Sequence, residues 1–333
     1  MPEGFTTALV VVFGFAVLFD YINGFHDTAN AIATSVSTRA IKPQWAIAMS
    51  AVANFAGALT GTAVAKTIGS GLIAPQAEGG AVVAAALVGA ITWNLVTWRF
   101  GIPSSSSHAL IGGLLGASAA AIGFGAWLIP GVVGKVIVPL VSSPIAGFAI
   151  GLALMVLIFN LFRRAHPKTM NDRFRRLQVV SAAYMAFSHG SNDAQKTMGV
   201  MTLALVSAGI IPEFKVPLWV IILAASAISL GTAAGGWRII RTMGSKVVKL
   251  DPVHGFAAET TAATIITGAS LLGMPVSTTH VISSAILGVG SSDRFNAVHW
   301  GVARRIGVAW VLTLPAAGIV AAVAYFLLRP FLS

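Results

Sequence analysis

Two hydroxyl-rich peptides of similar sequence occur in the 333-residue chain, one in each half, and both have the chemistry to bind an anion. They read Gly101-Ile-Pro-Ser-Ser-Ser-Ser-His108 and Gly273-Met-Pro-Val-Ser-Thr-Thr-His280. The proline ends the segment before it, so the hydroxyl residues open the next helix, where unpaired N–H groups and hydroxyls converge on an oxyanion. The predicted anion ligands are Ser104, Ser105, Ser106, Ser107, Ser277, Thr278 and Thr279.

Helix capping is the simpler explanation for either peptide alone, because Ser and Thr are favoured N-cap residues. Capping explains neither the run of four serines nor the second copy. His108 and His280 end the two peptides in register. Three supporting roles stay open for them: donation to a bound anion, titration, or a hydrogen bond to a backbone carbonyl that fixes the turn.

Two aspartates, Asp27 and Asp193, each lie between apolar segments and are therefore predicted at membrane depth. An unpaired carboxylate there costs about 2.5–3.5 kcal/mol or more, so a partner is required. Gly24 and Gly190, each three residues earlier, are expected to interrupt the helix and free carbonyl oxygens for a small hard cation. The predicted cation site comprises Asp27, Asn30, Asn192 and Asp193, of which Asp27, Asn30 and Asp193 are able to hold sodium.

Capping by Asp or Asn after a glycine also fits one copy of this motif, but fits two matched copies less well. His26 and His189 flank the aspartates, yet neither His-x-x-x-His nor Glu-x-x-His spacing occurs, so no dedicated metal site is predicted. Glu259 lies in a segment otherwise able to span the membrane. Its position predicts a proton or cation site, or an ion pair with Lys196.

These motifs need elements that bring them together, and their order implies an internal repeat. The aspartates are 166 positions apart and the histidines of the hydroxyl peptides are 172 apart, so both motifs recur at nearly the same spacing. Duplicated halves of a membrane protein place a shared polar site near the bilayer midplane, which favours solute transport. Each repeat is expected to supply one interrupted helix and one short re-entrant hairpin.

The composition predicts the fold class. The chain is 56% hydrophobic and 9% charged, which is more apolar than a soluble domain of this length needs. The apolar runs predict an all-α polytopic membrane protein of two inverted repeats, with about ten to twelve transmembrane or half-spanning helices and two re-entrant hairpins. The absence of cysteine excludes disulfides, thiolate metal sites and cysteine nucleophiles.

The halves are predicted as membrane repeats 1–162 and 178–333, joined by a basic linker at 163–177. The net charge of +11 comes from basic residues in short loops, which the positive-inside rule explains better than binding to nucleic acid. The linker is therefore placed in the cytoplasm, and inverted halves put both termini outside. Gly112, Gly113 and Gly116 could pack helices within the chain or between chains, and the second arrangement would give a homodimer in the lipid bilayer.

Together the motifs resemble the inorganic phosphate transporter (PiT) family, which carries a Gly-x-Asn-Asp-x-x-Asn-Ala-like motif in each half. Asp27 with Asn30 and Gly190 with Asp193 match that motif, and the two Pro-x-Ser-(Ser/Thr)-(Ser/Thr)-His peptides match the family's hairpins. The resemblance covers nearly the whole chain. It implies a permease of the cell inner membrane, not an enzyme, that imports inorganic phosphate together with Na⁺ or H⁺ and needs no cofactor.

The resemblance also implies roles for residues. The hairpin hydroxyls and N–H groups would hold phosphate, the aspartates and asparagines would bind coupling ions, and Glu259 matches a family carboxylate associated with transport. Two residues depart from the pattern, because His26 and Lys196 stand where the family commonly has Asn. A lysine ammonium can neutralise Asp193 in place of sodium, which predicts fewer sodium ions or proton coupling.

The residues also fit other substrates and other classes of protein. Sulfate is also tetrahedral and divalent, and a neutral metal–phosphate complex would use the carboxylates to hold its metal. A passive anion channel needs a continuous polar stripe along several helices, whereas these polar residues concentrate at the repeated motifs. An intramembrane enzyme is disfavoured, since neither Gly-x-Ser-x-Gly nor His-Glu-x-x-His occurs.

Overall fold

The computed structural model describes residues 7–332, which form helices joined by short connections. A π-helical turn at Val133–Ile137 joins α6 to α7, and another at Thr242–Lys246 prolongs α10. The α-helices of the described chain are α1 Thr7–Ser37, α2 Pro43–Ala58, α3 Ala63–Ser70, α4 Gly80–Phe100, α5 Ser106–Ile122, α6 Ile129–Val132, α7 Val138–Leu161, α8 Pro167–Ser207, α9 Leu218–Ala234, α10 Trp237–Arg241, α11 Pro252–Leu271, α12 Thr278–Ser291 and α13 Trp300–Leu332.

The helix order repeats, and the second half is an inverted copy of the first. The long helix α1 corresponds to α8, the bent pair α2–α3 to α9–α10, α4 to α11, α5 to α12, and α7 to α13. The bent pairs turn by 72° and 60° at their breaks. By length and composition, four helices of residues 7–332 can cross a membrane, and each bent pair can add one crossing. The predicted all-α fold of two inverted repeats is confirmed.

The helix breaks expected at Gly24 and Gly190 were predicted wrongly, because α1 and α8 continue through both glycines. A Cβ at Gly24 would lie 2.2 Å from the carbonyl oxygen of Ile228, and one at Gly190 would lie 2.1 Å from that of Asn54. Both glycines therefore serve close backbone packing between helices of opposite halves. The interruptions lie in the bent pairs α2–α3 and α9–α10 instead.

Two hairpins, α4–α5 and α11–α12, carry the hydroxyl peptides in their turns. Gly101 after α4 and Gly273 after α11 have φ values of +65° and +66°, in the left-handed region that favours glycine. With 17 and 14 residues, α5 and α12 are shorter than the roughly 20 residues that a membrane span requires. They are the re-entrant arms that the sequence predicts.

Helices of one half pack mainly against helices of the other. The helix α5 packs on α13 and α12 on α7, while α2 packs on α8 and α9 on α1. At the α5–α13 contact, Gly112 and Gly116 meet Leu314 and Gly318, and Gly113 meets α4. These three glycines thus pack helices within the chain, so they no longer support a homodimer.

Apolar side chains form two clusters on either side of the polar centre. α1 contributes its residues before Asn23 to the first cluster, which extends over α4, α5 and α9. The same helix, α1, contributes residues 29–33 to the second cluster, which extends over α7, α11 and α12. The polar middle of α1 is thus enclosed between two apolar layers.

The basic segment 163–177 is mostly helical, because α8 begins at Pro167 and only 163–166 is irregular. Proline is favoured at the first position of a helix, where its missing N–H is not needed. Thr38, just beyond α1, donates a hydrogen bond to Gln178 of α8, so this segment lies near the carboxyl end of α1.

The two ends of the described chain lie together on the opposite face. Ala8 and Leu332 both approach Gly80 at the start of α4. Because α1 begins at this face and ends near the start of α8, the chain ends and the basic segment are separated by the full length of α1.

Candidate functional site

The centre of the molecule is formed by α1 and α8, which pack together and present polar side chains to each other. On α1 these residues recur at spacings of three or four, and on α8 they form two groups eight residues apart with spacings of three or four within them, which places each set on one helical face. All of them are buried or nearly so. The two stripes comprise Asp20, Asn23, Asp27, Asn30 and Thr34 on α1, and Gln178, Ser181, His189, Asn192, Asp193 and Lys196 on α8.

Asp27 binds the tip of the first hairpin. Ser106 Oγ donates to Asp27 Oδ2 at 2.8 Å and also lies 2.6 Å from Asn23 Oδ1. The other carboxylate oxygen, Oδ1, lies 2.6 Å from His26 Nδ1. The carboxylate is therefore satisfied without a cation in this arrangement.

Asp193 binds the tip of the second hairpin and the ammonium of Lys196. Lys196 Nζ donates to Asp193 Oδ1 at 2.5 Å, to the Val276 carbonyl at 3.2 Å and to Ser107 Oγ. Thr278 Oγ1 donates to Asp193 Oδ2 at 3.4 Å. One ammonium thus joins both hairpin tips to the second aspartate.

These contacts obey the symmetry of the repeat. Ser106 corresponds to Thr278, and each donates to the aspartate of its own half. Asn30 corresponds to Lys196, and each reaches the hairpin of the other half: Asn30 Nδ2 donates to Thr279 Oγ1 at 2.9 Å. The duplicated motifs therefore meet in one site.

His189 completes a group of possible cation ligands with the two aspartates. Its Nε2 lies 3.4 Å from Asp193 Oδ2 and 3.9 Å from Asp27 Oδ2, and its Nδ1 lies 2.9 Å from Asn54 Oδ1. The ligand atoms of Asp27, His189 and Asp193 all lie within 4.8 Å of one another. A nitrogen and two carboxylates suit a divalent transition metal better than sodium.

His26 and Asn192 occupy equivalent positions and brace the hairpins. His26 Nε2 lies 3.1 Å from Thr97 Oγ1 on α4, and Asn192 Nδ2 donates to Ser270 Oγ on α11 at 2.8 Å. The amide nitrogen of Asn192, predicted as part of the cation site, thus bonds to the second hairpin rather than to the aspartates. It also donates to the Met274 carbonyl.

Three of the predicted anion ligands form hydrogen bonds within their own hairpin rather than to the polar centre. Ser105 and Ser277 are N-caps of α5 and α12, accepting from the N–H groups of His108 and His280 at 3.1 and 3.2 Å. Ser104 Oγ donates to Thr97 Oγ1 of its own hairpin at 2.8 Å. The hydroxyls at the centre are those of Ser106, Ser107, Thr278 and Thr279.

The histidines that end the peptides contact each other. The rings of His108 and His280 lie 4.7 Å apart, and that of His280 stacks on Trp310 at 3.9 Å. Neither ring nitrogen of His280 has a hydrogen-bond partner among the described residues. A hydrogen bond from the His280 ring to a carbonyl, one of the roles left open, is therefore not made.

Glu259 lies in a separate polar cluster. Its carboxylate accepts from Thr34 and Ser181 at 2.5 Å and from Gln178 at 3.1 Å. The ion pair with Lys196, one of two predictions for this residue, was wrong, because Lys196 pairs with Asp193. Glu259 instead links α1, α8 and α11 through neutral donors.

Each hairpin turn rests on the bent pair of the opposite half. Thr242 Oγ1 donates to the Gly101 carbonyl at 2.9 Å, and Thr67 Oγ1 donates to the Gly273 carbonyl at 2.7 Å. A recess opens beside each turn. The first is lined by Arg99, Arg238, Arg241 and Lys246, and the second by Lys66 and Lys135.

Sequence reasoning missed Asn23 and Asn54, and it considered His189 beside Asp193 without giving it a role in the site. Asn23 and His189 could have been found from the sequence, since each lies four residues before the aspartate of its helix and therefore on the same helical face. Asn54 carried no such signal, because it approaches the centre only through the packing of α2 on α8.

Inverted repeats with bent helices and two re-entrant hairpins, closed around a buried polar centre, are the architecture of a membrane transporter. The family model "Phosphate transporter family" matches residues 23–172 and again residues 162–321. The two matches correspond to the two repeats. The chain belongs to this family.

Individual relatives support the same family. The chain is 50% identical over 326 residues to a Bacillus subtilis (strain 168) protein and 51% identical over 320 residues to one from Rhizobium meliloti (strain 1021), both named "Probable low-affinity inorganic phosphate transporter". These alignments cover 97% of this chain and of the first relative, and 96% of this chain and of the second. A solved structure titled "The sodium-dependent phosphate transporter" matches with a TM-score of 0.90 and 25% identity, over 98% of this chain and 100% of that one. The relatives are transporters rather than enzymes.

Proposed function

We propose that this protein is a secondary active symporter that imports inorganic phosphate together with a cation by alternating access. Its family and its named relatives support phosphate as the substrate. The observation that carries the proposal is the symmetric pair of contacts in which Ser106 and Thr278 hold Asp27 and Asp193. Hydroxyl groups that suit an oxyanion and carboxylates that suit a cation, from both halves, therefore lie together in one buried centre, which supports the proposal.

The charges of this centre support coupling to a cation. Asp27 and Asp193 are buried carboxylates, and the ammonium of Lys196 lies beside Asp193. A phosphate dianion brought next to two carboxylates in a medium of low dielectric constant is repelled unless further positive charge enters with it. Uptake against a negative-inside potential also costs about 2.3 kcal/mol per charge per 100 mV, which co-transported cations must offset.

The test is uptake of radiolabelled phosphate into proteoliposomes of purified protein, under imposed sodium and proton gradients separately. Saturable, gradient-driven uptake with counterflow is expected. Sulfate is added as a competitor in a parallel series, and strong inhibition by sulfate would change the substrate assignment. Uptake without saturation or counterflow would indicate a passive channel, and no uptake under either gradient would refute the proposal.

A second candidate substrate is a neutral metal–phosphate complex. The grouping of Asp27, His189 and Asp193 favours it, because these ligands come from both halves and suit a divalent metal as cargo. In the same proteoliposomes, labelled metal should then enter only when phosphate is present, and phosphate uptake should fall when a chelator removes the metal. Phosphate uptake that is unaffected by the chelator excludes this candidate.

We infer the inner membrane as the location, with the basic segment 163–177 in the cytoplasm. The six basic residues of this segment lie near the carboxyl end of α1, and Arg39 and Lys42 follow α1 directly. The positive-inside rule assigns the face with these charges to the cytoplasm. The two ends of the described chain share the other face and would lie outside.

A further inference from the structure

Asp20 is a buried carboxyl group that the site described above does not use. It lies on α1, is 0% exposed, and neither of its oxygens has a hydrogen-bond partner within the described residues. Seven residues separate it from Asp27, which is about 10 Å along a helix. An ionised carboxylate left in this way inside a membrane is costly, and such residues are rare unless they have a function.

The surroundings of Asp20 offer little positive charge and few ligands. The polar side chains beside it are Asn23 of α1 and Thr197 of α8, whose hydroxyl also lacks a partner. The nearest apolar neighbours along α1, Phe19 and Ile22, belong to the first hydrophobic cluster. One hydroxyl and one amide are too few oxygen ligands for a sodium or divalent ion, whereas a proton needs only the carboxylate itself.

The titratable groups that face Asp20 belong to α8. They are Asp193 and His189, neither of them hydrogen-bonded to Asp20. The helices α2 and α9, which also pack on α1, contain no titratable residue. The other charged or titratable groups on helices packed against α1 are exposed or have partners elsewhere. Lys196 pairs with Asp193, Glu259 accepts from Thr34 and Ser181, His254 lies against Asp293 and His280 stacks on Trp310. The exposed groups are Arg99, Arg238, Arg241, Lys246 and the charged residues of 168–176.

Asp20 is also connected to the centre. Asn23 lies next to Asp20, and its Oδ1 accepts from Ser106, the residue that donates to Asp27. A change at Asp20 therefore reaches the tip of the first hairpin through one side chain. The equivalent position of the second half, 166 residues later, is Ala186, so the repeat supplies this carboxyl only once.

We propose that Asp20 is a proton-binding site that carries the coupling proton of phosphate uptake, separate from the paired aspartates. The inference rests on the proposed symport function. An O–H bond forms on the carboxylate when a proton enters from one face, and it breaks when the proton leaves to the other. The acid is neutral while it is buried, and its hydroxyl can donate to Thr197 or Asn23.

The test compares wild-type protein with Asp20→Asn in proteoliposomes. The amide keeps the shape of the protonated acid but cannot release a proton, so Asp20→Asn should retain phosphate exchange and lose accumulation driven by a proton gradient. Glu78→Gln, the same chemical change at a half-buried residue between α3 and α4, is the matched control and should behave as wild type.

The outcomes separate the two proposals. Wild-type protein that takes up no phosphate refutes the symport function itself. Wild-type uptake that follows only a sodium gradient, or an Asp20→Asn variant that accumulates phosphate with the wild-type dependence on pH, overturns the role of Asp20 and leaves the symport function standing.

A measurement on wild-type protein covers the case in which Asp20→Asn does not fold. Hydrophobic carbodiimides react with protonated carboxyl groups in membranes, so Asp20 should be labelled near neutral pH and progressively less under alkaline conditions. Mass spectrometry of the labelled peptides reads the result. Absence of label on Asp20 across the pH range, with label present on Glu259, contradicts the proposal.

Discussion

Lys196 places an ammonium group where two hairpins and an aspartate meet. Replacing it by asparagine removes that charge and leaves Asp193 with the weak donor Thr278 and the more distant His189 as partners. The residual negative charge should attract a free cation. We therefore expect Lys196→Asn to acquire or increase sodium dependence of phosphate uptake.

The measurement is initial uptake rate against sodium concentration at fixed membrane potential. Lys215→Asn, at an exposed position between α8 and α9, is the matched control and should leave the sodium response unchanged. A Lys196→Asn protein that transports but shows no gain in sodium dependence would remove the assigned role of the ammonium.

Ser106 is the hydroxyl with the strongest evidence for a place in the site, since it donates to Asp27 and contacts Asn23. Hydrogen bonds to charged groups contribute about 1.5–3 kcal/mol, so Ser106→Ala should lower kcat/KM for phosphate roughly ten-fold or more. The control is Ser118→Ala, which removes a buried hydroxyl bonded to the Leu115 carbonyl of its own helix. Equal effects of both changes in the uptake assay would mean that Ser106 acts only on the packing of α5.

The repeated chemistry was readable from the residues themselves, while their contacts were not. The spacing of Asp27 and Asp193 predicted a shared centre, because duplicated motifs meet where duplicated halves meet. The sequence could not reveal that Asn192 reaches the second hairpin while Lys196 reaches both. Neighbouring residues on a helix point about 100° apart, so one-residue differences decide which partner each side chain meets.

At the scale of the elements, glycines set how closely the two halves approach. Gly24 lies on the backbone of α9, where a Cβ would sit 2.2 Å from the Ile228 carbonyl oxygen. Overpacking of this kind typically costs 1–3 kcal/mol, and here the obstacle is backbone that cannot rotate away. Gly24→Ala should therefore lower the unfolding temperature of detergent-solubilised protein.

Gly14 provides the matched control on the same helix. A Cβ at Gly14 would meet nothing within 4 Å, so Gly14→Ala should leave the unfolding temperature unchanged or raise it slightly. Equal unfolding temperatures for the two variants would contradict the close backbone contact between α1 and α9.

The hydrogen bond from Thr242 to the Gly101 carbonyl fixes the first hairpin turn to α10. Thr242→Val keeps the shape of the side chain but removes the hydrogen-bond donor, so the first hairpin turn should separate from α10 more often. Because the chain contains no cysteine, Ile102→Cys gives a unique reporter in that turn. Its reaction with a membrane-impermeant maleimide should speed up in Thr242→Val and stay unchanged in Thr242→Ser, which retains the hydroxyl.

The same comparison applies to Thr67 and the Gly273 turn of the other half. If the rate of reaction with maleimide is unchanged by the valine substitutions at both positions, these hydrogen bonds do not hold the hairpins. The helix breaks expected at Gly24 and Gly190 also depended on a tertiary contact. A glycine inside an apolar helix marks either a break or a close neighbour, and only the tertiary contact decides between them.

For the whole molecule, the inverted repeat makes orientation testable with two cysteines. Ala165→Cys lies in the irregular stretch 163–166, and Lys215→Cys lies between α8 and α9, at the opposite ends of α8. If the basic face is cytoplasmic, an impermeant maleimide added to intact cells should label Lys215→Cys and reach Ala165→Cys only after lysis. The reverse pattern would invert the assigned topology.

Composition alone was enough to predict the class of this fold, because a chain with so few charges must bury its helices in lipid. The interlocking of the halves was not predictable in this way. The packing of α5 on α13 and of α12 on α7 depends on shape, and the glycines that permit it read equally well as a contact between chains.

The ammonium of Lys196 has a final consequence for energetics of the entire cycle. A charge that is built into the protein need not be supplied by the ion gradient, so each phosphate would travel with one cation fewer. At 100 mV one charge is worth about 2.3 kcal/mol, so with one cation fewer the highest attainable ratio of internal to external phosphate would be roughly fifty-fold lower. Such a carrier would take less free energy from the ion gradient for each phosphate. It would suit a cell best when phosphate is abundant.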